Sequence, residues 1–448
     1  MTPSTVSSAI SLHNGASNGI KLRSLEARWV DVAGEPRLRL RDPLEISGRH
    51  ALVPASLVPL LPLMDGTRNE AQLATSFGLR TGRALSDDAI AAIMRSLDEA
   101  MLLENDRYRA GLEAVRRVYR AQPFRFPALA GRSYPISSSA LEDEFEAFSR
   151  AAGHIEDLPT LGRLTRAAGV LSPHIDYTRG GPLYAATWQS AAAAVASAEV
   201  VVIFGTDHWG SAGRLTLTPQ RYATPWGALP TDPDLVQVLA EALGESAFEE
   251  ELHHRNEHAI ELAAVWLHWT LRQAGVIDGC LPPVIPILCG SFHCYTHVSD
   301  DESSTTRSAR NEGQTPEEEP WASSALDALV QSLGDRRVFV VSAADLAHVG
   351  PAFGDPNPLT VQEKEALVAA DAALLRTMTD GDAGALLATL RAQQDRNRIC
   401  GLPPTYWAMR LLERLNGRRP AGQLTGYDQC PADEQFGSVV SIAGVVWE

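Results

Sequence analysis

The sequence predicts an α/β protein: a central, mostly parallel sheet covered by helices, with a small module in front of it. Three observations carry that expectation. Apolar runs rich in Val and Ile recur through the C-terminal two thirds of the chain without alternating with polar residues, as strands covered on both faces do. Segments of helical length separate them. At 448 residues the chain is also longer than one modest core organises, because single cores seldom grow past a few hundred residues.

Residues 1–22 are dominated by Ser, Asn, Thr and Gly and show no apolar periodicity, which reads as a disordered tail. Residues 23–109 read as a compact module. Strand-like segments lie near 28–32 and 37–40, and a turn at Met64, Asp65, Gly66 and Thr67 leads into a short helix over 69–76, with Thr67 as its cap. A second helix is expected from Ser86. Asp87 and Asp88 suit its N-terminus, and Ile90, Ile93, Leu97 and Met101 recur at helical spacing. A connecting helix over 111–121 and a Pro-containing run over 123–127 make up a linker, residues 110–127.

The large domain is expected over 128–448, with strands at 169–172, 200–204, 284–288, 338–341 and 439–446. Helices are expected at 183–196, 233–243, 259–274, 324–333, 361–377 and 404–415. Residues 299–320, rich in Ser, Thr, Asp, Glu and Pro, read as a disordered or surface insertion.

Composition narrows the function. With 39 Lys and Arg against 55 Asp and Glu, the formal charge is −16, which disfavours nucleic acid as a partner. No apolar stretch is long enough to span a bilayer, and the N-terminus lacks a signal-peptide pattern. The five cysteines form no CxxC pair and no disulfide framework, so the cytoplasm is the expected compartment.

The chemistry gathers where strands end. His174 follows the first strand, with Asp176 and Tyr177 just beyond, and Asp207 and His208 follow the second. Asp345 and His348 follow the strand at 338–341. Ligands of open α/β sheets bind at the carboxyl ends of strands, so His and Asp from three such ends converge on one place. A single histidine in a turn is more often a hydrogen-bonded structural residue; three at equivalent positions point to a site. Glu257, His258 and Glu261 stand at the start of a helix, with the two glutamates at i, i+4 spacing. The adjacent pairs His253-His254 and His293-Cys294 are poor chelators, because neighbouring side chains point apart.

Two resemblances follow. The strand, helix, helix, Leu102-Leu103 pattern of residues 23–109 resembles winged-helix and PqqD-like modules, which serve as peptide or partner adaptors; Asp87, Asp88, Asp98 and Glu99 on its second helix argue against DNA. The large domain resembles the Memo family, of the AmmeMemoRadiSam system protein B type, whose fold is shared with class III extradiol dioxygenases. The matching pieces run in order through Ala128 to Tyr134, Pro173-His174 with Tyr177 and Gly181, and Gly205 to His208. They continue with Asn256 to Glu261, Val284 to Gly290, Ser342 to Gly350 and Ile399-Cys400-Gly401.

That resemblance implies one metal ion held by His174, His208 and Cys400, with Fe(II) favoured and Cu or Zn as alternatives. His348 matches the dioxygenase acid/base and Asp345 accompanies it, while Tyr177, Asp207, Glu257, His258 and Glu261 surround the ligands or line the pocket. An imidazole and thiolate set is chemically coherent for such ions, and Cys400 stands just before a helix N-terminus, which favours a thiolate. The sequence departs from the family at Trp209, where a second His is usual, and at Leu402-Pro403-Pro404, where Arg, His and Pro are usual. The implied function is a metal-dependent redox enzyme acting on a small molecule; the alternative is a non-catalytic metal-binding scaffold working with a radical SAM protein. A zinc hydrolase would need an HExxH or second carboxylate cluster, which the chain lacks.

Overall fold

The computed structural model describes residues 19–153, 159–164, 166–296 and 314–448. They form two compact units that divide between Gln122 and Pro123. Most of the expected tail, residues 1–18, and residues 299–313 of the expected insertion lie outside the described residues.

The first unit is a three-stranded antiparallel sheet with three helices. Strands β1 (Glu26–Val32), β2 (Glu35–Arg41) and β3 (His50–Pro54) lie in the order β1-β2-β3. Asn69, not Thr67, caps the first helix, Glu70–Thr81, in a capping box with Gln72. Thr67 instead hydrogen-bonds Asp65 in the preceding turn. Ser86 caps the helix Asp87–Glu99, which buries Ile90, Met94 and Leu97. Met101 lies beyond the helix end at φ 55° rather than on that stripe. The last helix runs Asp106–Ala121 and is capped by Asn105, so the expected connecting helix begins five residues earlier than its apolar pattern suggested. Residues 20–22 are part of this unit: the Ile20 N–H donates to the Arg68 carbonyl, and Leu22 bridges to Leu103.

In the second unit, four parallel strands form the centre of the sheet: β4 (Ala167–Ser172), β5 (Val200–Asp207), β9 (Val284–Gly290) and β10 (Val338–Ala343). Their side chains alternate between two cores. Val200, Val202 and Phe204 enter one, while Val201 and Ile203 enter the other, so an unbroken apolar run is what a doubly covered strand requires. Helices Ser138–Ala152, Tyr177–Ser197 and Ala259–Gln273 contribute to one core. Pro233–Leu243, Ala322–Leu333 and Leu402–Asn416 contribute to the other.

Antiparallel strands flank the parallel centre. β6 (Leu215–Leu217) pairs with β9 at one side, and β13 (Val439–Trp447) pairs with β4 at the other, followed by β11 (His348–Val349) and β12 (Gly422–Pro431). β7 (Tyr222–Thr224) and β8 (Gly227–Leu229) form a separate hairpin. Residues 314–320, expected within a disordered insertion, include the 3-10 turn Pro316–Glu318. Pro316 is buried, and Glu317 pairs with Arg410 at 2.9 Å and Arg414 at 3.5 Å. Arginines of the helix Leu402–Asn416 offset the charge of Glu317 there. No described helix is long and apolar enough to cross a membrane.

Candidate metal centre

Strand register brings the site together. β10 lies between β4 and β5, and Ala343 is level with both Ser172 and Gly205. Two residues past that row stand His174, Asp345 and Asp207, with His208 next along the chain.

The His174 ring is buried. Its Nδ1 donates to the Ala343 carbonyl at 3.0 Å, so a neutral ring carries its lone pair on Nε2. Cys400 Sγ lies 3.3 Å from that Nε2. Asp345 does not hold the tautomer: Oδ1 accepts the His174 backbone N–H at 2.8 Å, and Oδ2 lies 3.7 Å from Nε2. It fixes the turn on which the ring is mounted.

His208 is steered by Glu257. The carboxylate accepts the His208 backbone N–H at 3.0 Å and faces its Nδ1 at 3.1 Å, and the same group meets His258 Nδ1 at 2.9 Å. The donor atoms of His174, His208 and His258 all lie within 4.8 Å of one another. Imidazoles held at Nδ1 by a carbonyl or a carboxylate, with Nε2 left for a ligand and a thiol alongside, fit a transition-metal ion.

Electrostatics agree with that fit. Burial opposes ionisation of Cys400, but the charges of His174 and His348 and the hydrogen bonds from His174 and His208 hold its thiol well below the ordinary range. Burial likewise opposes the His174 imidazolium, yet Asp345 and Cys400 raise it to about 9. Glu257 is held well below the carboxylate range by His208 and His258 despite its burial.

The loop carrying Cys400 is tightly constrained. Arg398 sits at φ 55° and donates to the His348 carbonyl at 2.9 Å, and Asp395 accepts the Ile399 N–H at 2.9 Å. Gly401 passes so near the turn that follows β10 that a Cβ there would lie 2.3 Å from the Asp345 carbonyl oxygen. Only glycine permits that approach.

A cavity of about 440 Å³ opens over His174, His208, His258, Asp345 and His348. His348 reaches it from β11 rather than directly from the end of β10; its Nδ1 meets the Leu346 carbonyl at 3.1 Å and its ring stands edge-on to Phe353. Arg179 and Phe353 also line the cavity, and the sequence reading missed both. Arg179 could have been found from Asp176, three residues earlier, whose carboxylate it meets at 2.6 Å. Phe353 carried no signal.

Three residues expected near the ligands have other partners. Tyr177 is fully buried and donates to the Leu262 carbonyl at 2.7 Å. Asp207 turns to His253, whose Nδ1 lies 2.9 Å away, and Glu250 is close enough to complete a second three-residue group. Within that group Glu250 also accepts the Ser211 N–H at 3.1 Å. Glu261 does not line the cavity: it binds the buried Arg125 guanidinium, the Ala128 and Leu129 N–H groups at 2.8 Å and the Tyr134 hydroxyl at 2.6 Å. Glu257 and Glu261 do not share a helical face, because Glu257 is extended (φ −70°, ψ 133°) and the helix begins at Ala259. His254 meets Tyr222 at 2.6 Å and the Thr216 carbonyl at 3.0 Å, and burial depresses it to about 3, so it stays neutral in the core.

Fold and site together define an α/β protein with an imidazole and thiolate cluster at the carboxyl ends of its central strands. The comparisons name the family. A profile described as Memo-like protein matches residues 125–288 and 315–446, and the chain belongs to the Memo family, whose fold is dioxygenase-like. A MEMO1 family protein of Aquifex aeolicus is 26% identical over 418 residues, covering 91% of this chain and 95% of that protein. That alignment is longer than the second unit, so it reaches into the first. A MEMO1 family protein of Thermus thermophilus is 28% identical over 346 residues, 77% of this chain and 90% of that protein.

Proposed function

We propose that this protein is a metal-dependent redox enzyme acting on a small molecule in the cavity beside its sheet. His174, His208 and Cys400 hold a single ion, Fe(II) by preference, with Cu or Zn as the alternatives. The observation that carries this reading is the meeting of His174 Nε2 with the Cys400 thiol at 3.3 Å, on loops fixed by Asp345 and Gly401. The ion, once bound, supplies one-electron and Lewis-acid chemistry to a molecule lying against it. The protein contributes the rest. Glu257 and the Ala343 carbonyl orient the imidazoles, Phe353 shapes an apolar wall, and His348 is placed to move a proton at the cavity surface.

Metal analysis of anaerobically purified protein tests the assignment. The wild type is expected to retain iron in stoichiometric amount, and His174→Ala and Cys400→Ala to lose it. Equal metal content in all three would remove the site. Oxygen consumption with a catechol-like compound would then support the enzyme.

A second reading, a non-catalytic metal-holding scaffold that works with a radical SAM protein, draws on the first unit. Its sheet leaves Trp29, Val32 and Leu52 more than one third exposed, an apolar character suited to a partner. Retained metal without turnover across a broad substrate panel would favour it.

A further inference from the structure

We propose that His258 is a fourth donor to the centre, so that the ion is held by three imidazoles and one thiolate. This rests on the metal-site reading above and extends it to a residue outside the His174, His208 and Cys400 set.

The rings themselves carry the argument. The centroids of His174 and His208 are 5.2 Å apart, those of His174 and His258 5.3 Å, and those of His208 and His258 4.8 Å. Imidazoles bound through Nε2 at about 2.0–2.1 Å around a tetrahedral ion place their ring centroids roughly 5 Å from one another. All three pairs meet that spacing. The His208 and His258 rings are nearly parallel, at 14°, and the His174 ring stands at 77° and 82° to them.

Orientation agrees. Glu257 grips both His208 Nδ1 and His258 Nδ1, and it also accepts the backbone N–H groups of His208 at 3.0 Å and His258 at 2.7 Å. One carboxylate thus sets two rings at once, each with Nδ1 as donor and Nε2 left for a ligand. Among the described residues, no hydrogen bond engages His258 Nε2. Its Nδ1 is taken by Glu257, and a ring nitrogen of His258 lies within 4.8 Å of the donor atoms of His174 and His208.

Position gives the fourth donor a particular character. The His174 side chain is 2% exposed, whereas that of His258 is 37% exposed, at the N-cap of the helix Ala259–Gln273. The His208 side chain is 30% exposed, so His208 and His258 both stand on the open side of the cluster, and His258 is the one that an incoming molecule displaces. Four donors complete a tetrahedral sphere in the resting protein, and the loss of His258 from the ion opens it toward the cavity.

Cobalt(II) titration of the full chain tests this by spectroscopy rather than by turnover. The wild type is expected to show a thiolate-to-cobalt charge-transfer band together with the intense visible bands of a four-coordinate ion. In His258→Gln the thiolate band should persist while the visible bands weaken, with cobalt affinity about 10–100-fold lower. Added imidazole should restore the visible bands. His258→Cys should keep four-coordination and strengthen the thiolate band, a gain that a residue acting only by position would not give. Unchanged visible bands and affinity in His258→Gln, or no added thiolate intensity in His258→Cys, would overturn the proposal while leaving the three-donor site standing. A wild type without a thiolate band, or a band that survives Cys400→Ser, would instead overturn the underlying site.

Discussion

Two buried glutamates four residues apart are stabilised in different ways. Glu261 is 1% exposed and meets a permanent cation, Arg125, together with two backbone N–H groups and a tyrosine hydroxyl. Glu257 is 5% exposed and meets the backbone N–H groups of His208, His258 and Ala259 together with two imidazoles, which can lose their charge. A buried carboxylate needs compensation in either case. The guanidinium supplies it at every physiological pH and ties the chain after Gln122 to the helix Ala259–Gln273. The imidazoles donate Nδ1–H bonds in either state but add positive charge only while protonated or metal-bound. The first arrangement serves the fold, and the second couples a carboxylate to the occupancy of a site.

That contrast is open to direct test. The largest effect is expected from Arg125→Met, which leaves Glu261 buried without its cation and should cost about 3–5 kcal/mol in denaturant unfolding of the metal-free protein. A loss under about 1 kcal/mol would show that the N–H groups and Tyr134 suffice. Glu257→Gln should do the reverse. Its unfolding midpoint should fall less than that of Arg125→Met, and its metal affinity should fall about 10–100-fold by equilibrium dialysis, because both rings lose their anchor. Equal damage to stability and affinity would erase the distinction between the glutamates.

The smallest effect is graded with pH. His174 is raised to about 9 from an ordinary value of 6.5. Its contribution to the stability of the metal-free protein is complete below pH 6.5 and is lost as pH rises through about 9. Metal binding requires the neutral ring and releases that proton, so affinity should rise over the same window, by at most about tenfold per pH unit for this group. Unfolding and dialysis across that range should therefore give opposite trends. Parallel trends would contradict the assignment of His174 as a ligand.

The sequence displayed the central strands well, because a strand covered on both faces must be apolar throughout. Val200 to Phe204 could hardly be read otherwise. β12 was missed for the complementary reason: it pairs only with β13 and exposes Gln423 and Leu424, so its composition resembles a loop. At the site, His174 and His208 were legible because they follow such runs directly. The separation of Glu257 from Glu261 was not legible, since i, i+4 spacing implies a shared face only if the helix spans both residues, and here it starts at Ala259. Arg125 was equally hidden. A lone arginine between Phe124 and Phe126 gives no sign that its partner lies 136 residues away.

The level row of Ser172, Ala343 and Gly205 has a consequence for exchange of the ion. The turns bearing His174 and Asp345 are set by sheet hydrogen bonds that form whether or not an ion is present, so little chain entropy remains to be lost on loading. A chelator should accordingly strip the protein to a folded, reloadable form rather than unfold it. The stabilisation that a bound ion adds would then follow its free concentration by mass action, growing as the logarithm of one plus the ratio of that concentration to the dissociation constant.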